Sequence, residues 1–345
     1  MNPLASIIIV NRNGIEFVDA CLKSVFANTY PDFEVIFVDN GSDDESLALV
    51  QNTFGQDTRL RIIENKASLG PAVGRNRGIA SAKGDYIAFL DNDTEVDRNW
   101  LTALIKAFEA DSTIGAAQSK LLRIEPADEY DYAGDYLNAF GFLTERARGA
   151  QDTGQFDFPA EIFSAKSASC MVRKTALQIS GGFDESYYMY LEETDFCWRI
   201  WLAGYRVMFL PESVVHHAYG TRKKAKKEYY PDFVVKYYGC RNYITTLWKN
   251  LSLGALFRVM PLHIASWLAL SAMFLVKGKF RDSWWIVRGV TWNLFHIVTV
   301  LKKRHLVQKK VRAVSDSSFM PRVSVKNPLS YYMGKAVSYL YGRAF

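Results

Sequence analysis

The triplet Asp91-Asn92-Asp93 places two carboxylates one residue apart, directly after the apolar run Tyr86–Leu90. Because the chain turns where a strand ends, both carboxylates can face one cavity. Hard oxygen ligands suit Mg²⁺ or Mn²⁺, which keep several water ligands and bind substrate phosphates as well. A divalent ion held by Asp93, with Asp91 as the weaker partner, would neutralise charge on a departing diphosphate. Alone the triplet is a weak signal, since helix capping also produces such pairs.

Two adjacent acids, Glu192 and Glu193, lie near a predicted helix further along the chain. Transfer of a group to a hydroxyl requires a general base that takes the proton of that hydroxyl. Adjacent side chains do not point the same way, so we expect one acid to act as the base. The other acid is then expected to cap or support the helix.

Two histidines, His216 and His217, follow a predicted strand. A neutral imidazole binds metal ions, so either histidine is a candidate third ligand beside Asp91 and Asp93. The alternative is a structural role, which is the usual role of a lone buried histidine.

Polar residues also follow the earlier predicted strands. Asp39 could accept a hydrogen bond from the N–H of uracil or thymine, or it could begin an Asx turn. Arg75 opens a helix where it could reach a diphosphate, and a solvated helix start is the alternative. The candidate nucleotide-binding residues on this edge are Asn11, Asn13, Asp39, Asn65, Gly70, Arg75, Asn76, Asp91 and Asn92.

Short apolar runs that alternate with helix-like stretches must position these residues. The predicted strands are Ser6–Val10, Glu34–Val38, Leu60–Ile63 and Tyr86–Leu90. The predicted helices are Phe17–Ala27, Asp44–Phe54, Pro71–Ala82 and Arg98–Ala110. The alternation predicts an α/β, Rossmann-like fold with a mainly parallel central sheet and helices on both faces. Such sheets bind ligands beyond the carboxyl ends of their strands.

The middle of the chain, Glu125–Ala168, has little periodicity and is rich in Asp, Gly, Tyr and Phe. We predict that this segment forms active-site loops. After it, the pattern predicts a helix over Thr194–Ala203, ended by Gly204, and a strand over Tyr205–Leu210.

The last third of the chain is apolar and aromatic. Val259–Val276 has no Asp, Glu, Lys or Arg over 18 residues, the lower limit for a spanning helix, but contains Pro261 and His263. A second apolar stretch, Trp284–Leu301, carries Arg288 midway. Broad apolar faces with tryptophan and basic flanks predict helices that lie in the plane of a membrane surface. The alternatives are one spanning helix and a buried helical subdomain.

The net charge of +6 is concentrated in this last third, in the runs Arg222–Lys227, Lys302–Arg304 and Lys309–Arg312. A basic region of this kind predicts an anionic partner, and an ordinary solvated surface is the alternative. The basic residues flank hydrophobic segments rather than forming a stacking groove, so we expect a membrane surface and no nucleic acid.

The four cysteines are widely spaced and lack a zinc-binding pattern, which is typical of a reducing compartment. The first apolar run, Leu4–Val10, is short for a secretory leader and has no cleavage site after it. It is better explained as a buried first strand. We therefore expect the N-terminal domain to stay in the cytosol.

Taken together and in order, these motifs resemble those of the family-two glycosyltransferases, which have a GT-A fold. The matching segments are Ser6–Gly14, Val38–Asp44, Asn65–Ile79, Leu90–Asp93, Ser169–Arg173, Gly181–Glu185, Glu192–Arg199 and Val215–His217. The resemblance covers about residues 4–221. It predicts a GT-A catalytic domain over residues 1–221 and a C-terminal helical, membrane-associating region over residues 222–345.

The resemblance implies an inverting transfer of a sugar from a UDP- or dTDP-sugar, in which the acceptor hydroxyl attacks the anomeric carbon. It implies that Asp39 binds the base, Asp91 the ribose or a metal-bound water, and Asp93 the Mg²⁺ or Mn²⁺ ion.

The family usually has a catalytic Asp where this chain has Glu193, which leaves the base open between Glu193 and Glu192. His216 aligns best with the metal-associated histidine of the family, and His217 is the second choice.

The C-terminal pattern resembles the rhamnosyltransferase-like branch, whose members build cell-surface polysaccharide on lipid carriers. This implies dTDP-rhamnose as a candidate donor and a lipid-linked or polysaccharide acceptor. It also implies a place at the cytoplasmic face of the cell membrane, peripheral or with one spanning helix. A sugar nucleotidyltransferase and a non-catalytic membrane scaffold are the alternatives. The first lacks support because no Gly-rich, Lys-containing loop follows the first strand, and the intact acidic positions disfavour the second.

Overall fold

The computed structural model describes residues 2–218 and 232–341, so the basic run Arg222–Lys227 lies outside the described residues. The chain divides into two compact units. The first comprises residues 1–135 and 145–221, and the second comprises residues 136–144 and 222–345. The short segment 136–144 thus interrupts the first unit in sequence and belongs to the second.

The regular elements of the described residues are numbered in chain order. The strands are β1 Ala5–Asn11, β2 Phe33–Asp39, β3 Leu60–Glu64, β4 Tyr86–Asp91, β5 Thr94–Val96, β6 Ile114–Arg123, β7 Tyr130–Tyr132, β8 Asp135–Asn138, β9 Leu143–Glu145, β10 Ala160–Glu161, β11 Ser169–Arg173, β12 Arg206–His217 and β13 Ser324–Val325. The helices are α1 Val18–Phe26, α2 Ser46–Phe54, α3 Pro71–Ser81, α4 Trp100–Ala110, α5 Lys174–Ser180, α6 Glu192–Leu202, α7 Asp232–Asn250, α8 Leu253–Val276, α9 Phe280–Phe295, α10 Ile297–Leu306, α11 Met320–Val323 and α12 Leu329–Tyr341.

The first unit is built on a mixed sheet of ten strands. Strands β4, β1, β2 and β3 pair in parallel in that order. Strand β11 runs antiparallel between β4 and β6, and β12 then pairs in parallel with β6. The parallel half gathers the carboxyl ends of four strands at one edge, as the alternating pattern predicted.

Helices cover both faces of the parallel half. Ile7 and Ile9 of β1 are buried on one face, in a cluster with α1 and α4. Ile8 faces the other way, towards α3, where a Cβ added at Gly78 would lie 2.4 Å from Ile8 Cγ2. Alternate residues of one strand therefore meet helices on opposite sides, which is why the parallel strands are almost continuously apolar.

Two boundaries differ from the predicted ones. Glu192 and Glu193 are the first two residues of α6, whereas the predicted helix began at Thr194. Strand β12 continues to His217, whereas the predicted strand stopped at Leu210. A register shift between Leu210 and Val214 lets the strand pass its interruption and remain paired with β6. The pattern missed β6 itself.

The second unit consists of helices α7 to α12 with the segment 136–144. The buried imidazole of His263 in α8 anchors this segment, since Nδ1 donates to Phe140 O at 2.8 Å. Trp267 Nε1 donates to His263 Nε2 at 3.0 Å, and the ring of Phe142 stacks on the imidazole with centroids 4.2 Å apart. His263 is thus a structural residue of this unit.

Candidate active site

Asn11, at the end of β1, is the centre of a buried hydrogen-bond network. Its Nδ2 donates to Asp39 Oδ1 at 3.1 Å and to Ser46 Oγ at 2.9 Å. Its Oδ1 accepts a hydrogen bond of 2.5 Å from Asn92 Nδ2. The parallel register places Asn11 directly opposite Asp39. The ends of β1, β2 and β4 are therefore tied together at the edge where the sequence predicted ligand binding.

Asp39 forms the Asx turn that the sequence left as an alternative. Its Oδ2 accepts hydrogen bonds from the backbone N–H groups of Gly41 at 3.2 Å and Ser42 at 3.0 Å. Asn13 supports the same turn, since its Oδ1 accepts from Asp43 N at 2.9 Å. Recognition of a nucleobase by Asp39 stays a prediction.

The loop before α3 is hydrogen-bonded to the turn after β2. Asn65 Nδ2 donates to Asn40 Oδ1 at 3.0 Å, which links the end of β3 to the turn after β2. Gly70 has a φ of 83°, and a Cβ there would lie 2.9 Å from Tyr188 O. Only glycine combines this backbone conformation with so close an approach.

Asn76 is hydrogen-bonded to the segment after α5. Its Nδ2 donates to Phe183 O at 2.9 Å, and its Oδ1 accepts from Phe183 N at 2.9 Å. Asn76 therefore fixes the segment that follows α5. Asn76 was predicted as a nucleotide-binding residue, but its hydrogen bonds do not connect it to the carboxyl ends of the strands.

Asp91, Asp93 and His217 each bring one ligand atom to within 4.8 Å of the others. Asp91 ends β4, Asp93 lies in the turn before β5, and His217 ends β12. Antiparallel pairing of β5 with β12 sets Thr94 opposite His217, and Ala218 N donates to Asp93 O at 2.9 Å. Strand pairing thus assembles side chains that are far apart in sequence.

His217 is held between two carboxylates. Its Nε2 lies 3.2 Å from Asp93 Oδ1, and its Nδ1 lies 2.9 Å from Asp131 Oδ2. Burial lowers the pKa of His217, but the charge of Asp93 and the hydrogen bonds to Asp131 and Asp93 outweigh burial and raise the pKa to about 10. At neutral pH the imidazolium form therefore bridges the two carboxylates.

This donor set fits a divalent cation of the Mg²⁺ or Mn²⁺ type. It offers carboxylate oxygens from Asp91 and Asp93 and one ring nitrogen from His217. The other ring nitrogen is held by Asp131, and a metal-binding histidine is commonly oriented by such a carboxylate. Metal binding releases a ligand proton, and the proton on His217 Nε2 is the one that would leave.

His216 faces away from this cluster. Its Nε2 lies 3.4 Å from Asp97 Oδ1, and 39% of its side chain is exposed. Successive residues of a strand point to opposite sides, so only one of the two histidines can reach Asp93. The geometry does not support the preference for His216 as the metal-associated histidine, and it favours His217, the second choice.

Arg75 of α3 lies among three carboxylates. Its Nη1 is 3.0 Å from Glu192 Oε1, and its Nη2 is 3.5 Å from Asp91 Oδ1 and 3.7 Å from Glu193 Oε1. Its side chain is 8% exposed, so the solvated helix start is excluded. Burial raises the pKa of Asp91, although the charge of Arg75 opposes this rise.

Glu192 and Glu193 have different surroundings. Glu192 is buried, and burial together with the charge of Glu193 raises its pKa to about 7, against the effect of Arg75. Its Oε2 finds no hydrogen-bond partner among the described residues. The Glu193 side chain is 23% exposed, and its Oε1 accepts hydrogen bonds from Ser167 N at 3.0 Å and from Ser167 Oγ. Glu193 is thus the more accessible acid.

Sequence reasoning missed two residues of this site, Asp131 and Ser167. Both come from the segment Glu125–Ala168, which was predicted only as active-site loops. Asp131 lies between two fully buried tyrosines in β7, and an acid in such surroundings is a signal of a paired carboxylate. The position of Ser167 depends on the fold of its loop, and we find no sequence signal that marks it.

The mixed sheet with its parallel half, with the acidic turn after β4 at its edge, defines the class of the fold, which is GT-A. The family model "Glycosyl transferase family 2" matches residues 6–178, half of the chain. The chain therefore belongs to glycosyl transferase family 2.

The chain is also similar in sequence to curated glycosyltransferases. The chain is 29% identical over 208 residues to a pre-mycofactocin glycosyltransferase of Mycobacterium tuberculosis, covering 57% of this chain and 40% of that protein. It is 38% identical over 147 residues to the uncharacterised glycosyltransferase EpsJ of Bacillus subtilis, covering 42% of this chain and 41% of that one. The chain spans less than half of the length of either relative.

Solved structures show the same fold at low sequence identity. Residues 1–349 of S. aureus TarS, in complex with UDP-GlcNAc, superpose with a TM-score of 0.61 and 16% identity, covering 99% of this chain and 93% of that one. The mannosyltransferase PcManGT of Pyrobaculum calidifontis, in complex with GDP-Man and Mn²⁺, gives a TM-score of 0.53 and 14% identity, covering 100% and 89%.

Proposed function

We propose that the protein is an inverting, metal-dependent glycosyltransferase that uses a UDP- or dTDP-sugar and glycosylates a hydroxyl of a lipid-linked or polysaccharide acceptor. The observation that carries this proposal is the position of the Arg75 guanidinium close to both Asp91 and Glu193. A single nitrogen of Arg75 lies 3.5 Å from Asp91 and 3.7 Å from Glu193. A metal-type carboxylate and a candidate base therefore lie close to the same guanidinium nitrogen and hence to each other, as attack and departure at one sugar carbon require.

Asp93, Asp91 and His217 would hold the divalent ion. When bound, the ion neutralises negative charge on the leaving nucleoside diphosphate. Asp131 keeps the His217 ring in place from behind. Support for this assignment comes from the Mn²⁺ in the PcManGT complex, whose fold is similar.

Glu193 is the proposed base. The acceptor oxygen forms a bond to the anomeric carbon while the bond from that carbon to the diphosphate oxygen breaks, and the hydroxyl proton passes to Glu193. The two hydrogen bonds from Ser167 and the charge of Arg75 orient the carboxylate before transfer. Glu192 instead anchors Arg75, because its Oε1 takes the shortest of the three ion-pair contacts.

The nucleotide is proposed to bind along the hydrogen-bonded carboxyl ends of β1 and β2. Asn11, Asn13 and Asp39 would contact the nucleobase, and the loop that contains Gly70 would also line the nucleotide site. Uracil and thymine offer the same N–H to a carboxylate, so both UDP- and dTDP-sugars, including dTDP-rhamnose, are candidates. The UDP-GlcNAc complex of TarS supports a nucleotide-sugar donor of this general class.

The test is a donor screen with Mn²⁺ in which nucleoside diphosphate release is measured. We expect release from a UDP- or dTDP-sugar, and its loss in Asp93→Ala. Full turnover by Asp93→Ala in the presence of Mg²⁺ or Mn²⁺ would rule out the metal–diphosphate model. Release of pyrophosphate from a nucleoside triphosphate would instead indicate a sugar nucleotidyltransferase, and failure to bind any donor in calorimetry would indicate a non-catalytic scaffold.

A further inference from the structure

Helix α8 is apolar on both of its sides. One side is buried in the second unit through residues that include Leu256, Met260, Trp267 and Phe274. The opposite side is exposed to solvent and is also apolar, with Leu253, Phe257, Leu262, Leu268, Met273, Leu275 and Val276 between 37% and 86% exposed. A surface helix of a soluble protein has polar residues on its outer side.

Helix α9 also carries exposed apolar residues. Phe280 and Trp284 at the start of α9 are 69% and 62% exposed, and Phe295 at its end is 84% exposed. These residues and the seven exposed apolar residues of α8 are called the outer face below. So many exposed large apolar side chains are unusual on a monomeric soluble protein and indicate a contact with a partner or a membrane.

The charged residues in the part of the chain that carries the outer face are almost all basic. Residues 251–315 contain a single acid, Asp282, and its carboxylate is paired with Lys236 Nζ at 2.6 Å. The exposed basic residues in the same stretch are Arg258, Lys277, Lys279, Arg281, Arg288, Lys302, Lys309 and Lys310. A protein partner of neutral or basic surface would not complement this arrangement, whereas anionic lipid headgroups would.

We propose that the outer face docks the protein on an anionic phospholipid bilayer, with α8 lying in the plane of the interface. The apolar side chains enter the acyl boundary, and the surrounding basic residues meet lipid phosphates. The inference deepens the proposed function, because it names the surface that would bring the enzyme to a lipid-linked acceptor.

The buried side of α8 decides between an in-plane and a spanning helix. At 24 residues the helix is long enough to span, and composition alone does not separate the two. However, its inner side packs on α7 and α9, and its Ser271 is hydrogen-bonded to Ser283 of α9. Helix α9 carries Arg281, Asp282 and Arg288 within 16 residues, so it cannot follow α8 across hydrocarbon. Spanning would strip α8 of its packing, whereas docking in the plane keeps it.

Co-sedimentation of the full chain with vesicles tests the proposal. We expect binding to phosphatidylcholine vesicles that contain phosphatidylglycerol, and binding at least about tenfold weaker to phosphatidylcholine alone or at high salt. Equal binding to both vesicle types, or no binding to either, would overturn the proposal.

The variant Phe257→Gln removes an inserted aromatic side chain and should weaken binding to anionic vesicles about tenfold. Its matched control is Ile179→Gln, an exposed apolar residue of the catalytic unit that is 46% exposed and lies outside the outer face. Both positions are exposed, so circular dichroism and thermal unfolding should stay near wild type. Equal loss of binding in both variants contradicts the assignment of the surface.

Two further measurements test whether α8 spans the membrane and whether a second copy of the chain covers the outer face. Alkaline carbonate should release the protein from membranes, and retention would indicate a spanning α8. In sedimentation without lipid, we expect the wild-type protein to be monomeric. A dimer that Phe257→Gln dissociates would mean that a second copy of the chain covers the outer face. Donor turnover, measured without vesicles, is expected to be unchanged in Phe257→Gln, so failure of docking and failure of the proposed chemistry are distinguishable.

Discussion

Arg75 and Glu192 form a buried ion pair, with Nη1 and Oε1 3.0 Å apart across 117 positions of sequence. The pair fixes the guanidinium where its other terminal nitrogen reaches Asp91 and Glu193. Removing one partner of a buried pair leaves an uncompensated charge. Arg75 and Glu192 therefore act as a unit, and the effects of their substitutions should not add.

Substitution of Glu192 and of Glu193 should have different effects on kcat. Glu193→Gln removes the proposed base and is expected to lower kcat about 10²–10⁴-fold with little change in the KM of the donor. Glu192→Gln keeps a hydrogen-bond acceptor for Arg75 and should lower kcat less. Steady-state release of nucleoside diphosphate in the presence of acceptor measures both. If only Glu192→Gln is inactive, the base assignment moves to Glu192.

The two adjacent histidines should differ in metal binding. His217→Ala removes a proposed ligand and is expected to weaken Mn²⁺ binding by about tenfold or more, measured as free Mn²⁺ by electron paramagnetic resonance. His216→Ala is the matched control, because its ring contacts Asp97 instead. If only His216→Ala loses Mn²⁺ affinity, His216 is the metal-associated histidine, as the sequence resemblance implied.

Asp131 should act through His217 rather than through the substrate. Asp131→Asn keeps the side-chain shape but weakens the hold on Nδ1, and we expect about a 10–100-fold loss of metal affinity or activity. Excess Mn²⁺ should restore part of the activity, as expected of a positioning residue. Full affinity in Asp131→Asn would show that the ring is held by its packing alone.

The metal-free protein should lose stability at alkaline pH. The pKa of His217 is raised from 6.5 to about 10 in the folded state, so its contribution is complete below about pH 6.5 and is lost as the pH rises towards 10. The loss should be on the order of 2–5 kcal/mol in the free energy of unfolding. Urea unfolding between pH 6 and pH 10 with a chelator measures it. His217→Ala should show a flatter profile, and an unchanged profile would contradict the raised pKa.

Elements with a clear period could be predicted from sequence, and those set by long-range pairing could not. The four parallel strands and the helices between them lie close to their predicted positions, because burial on both faces leaves continuous apolar runs. Strand β6 was missed, although it is buried over nearly all of its length. Its sequence includes Gln118, Ser119 and Lys120, whose side chains form hydrogen bonds to distant segments, with Ser169 and Asp157 among the partners.

The sequence by itself determined the kinds of groups at the site, since motif order and spacing after each strand identified the acids and one histidine pair. The tertiary structure decided which histidine faces Asp93, because the strand alternates sides and β5 fixes its register. It also supplied Asp131 and Ser167 and placed Arg75 between the acids. These contacts join segments that are remote in sequence, and no local pattern records them.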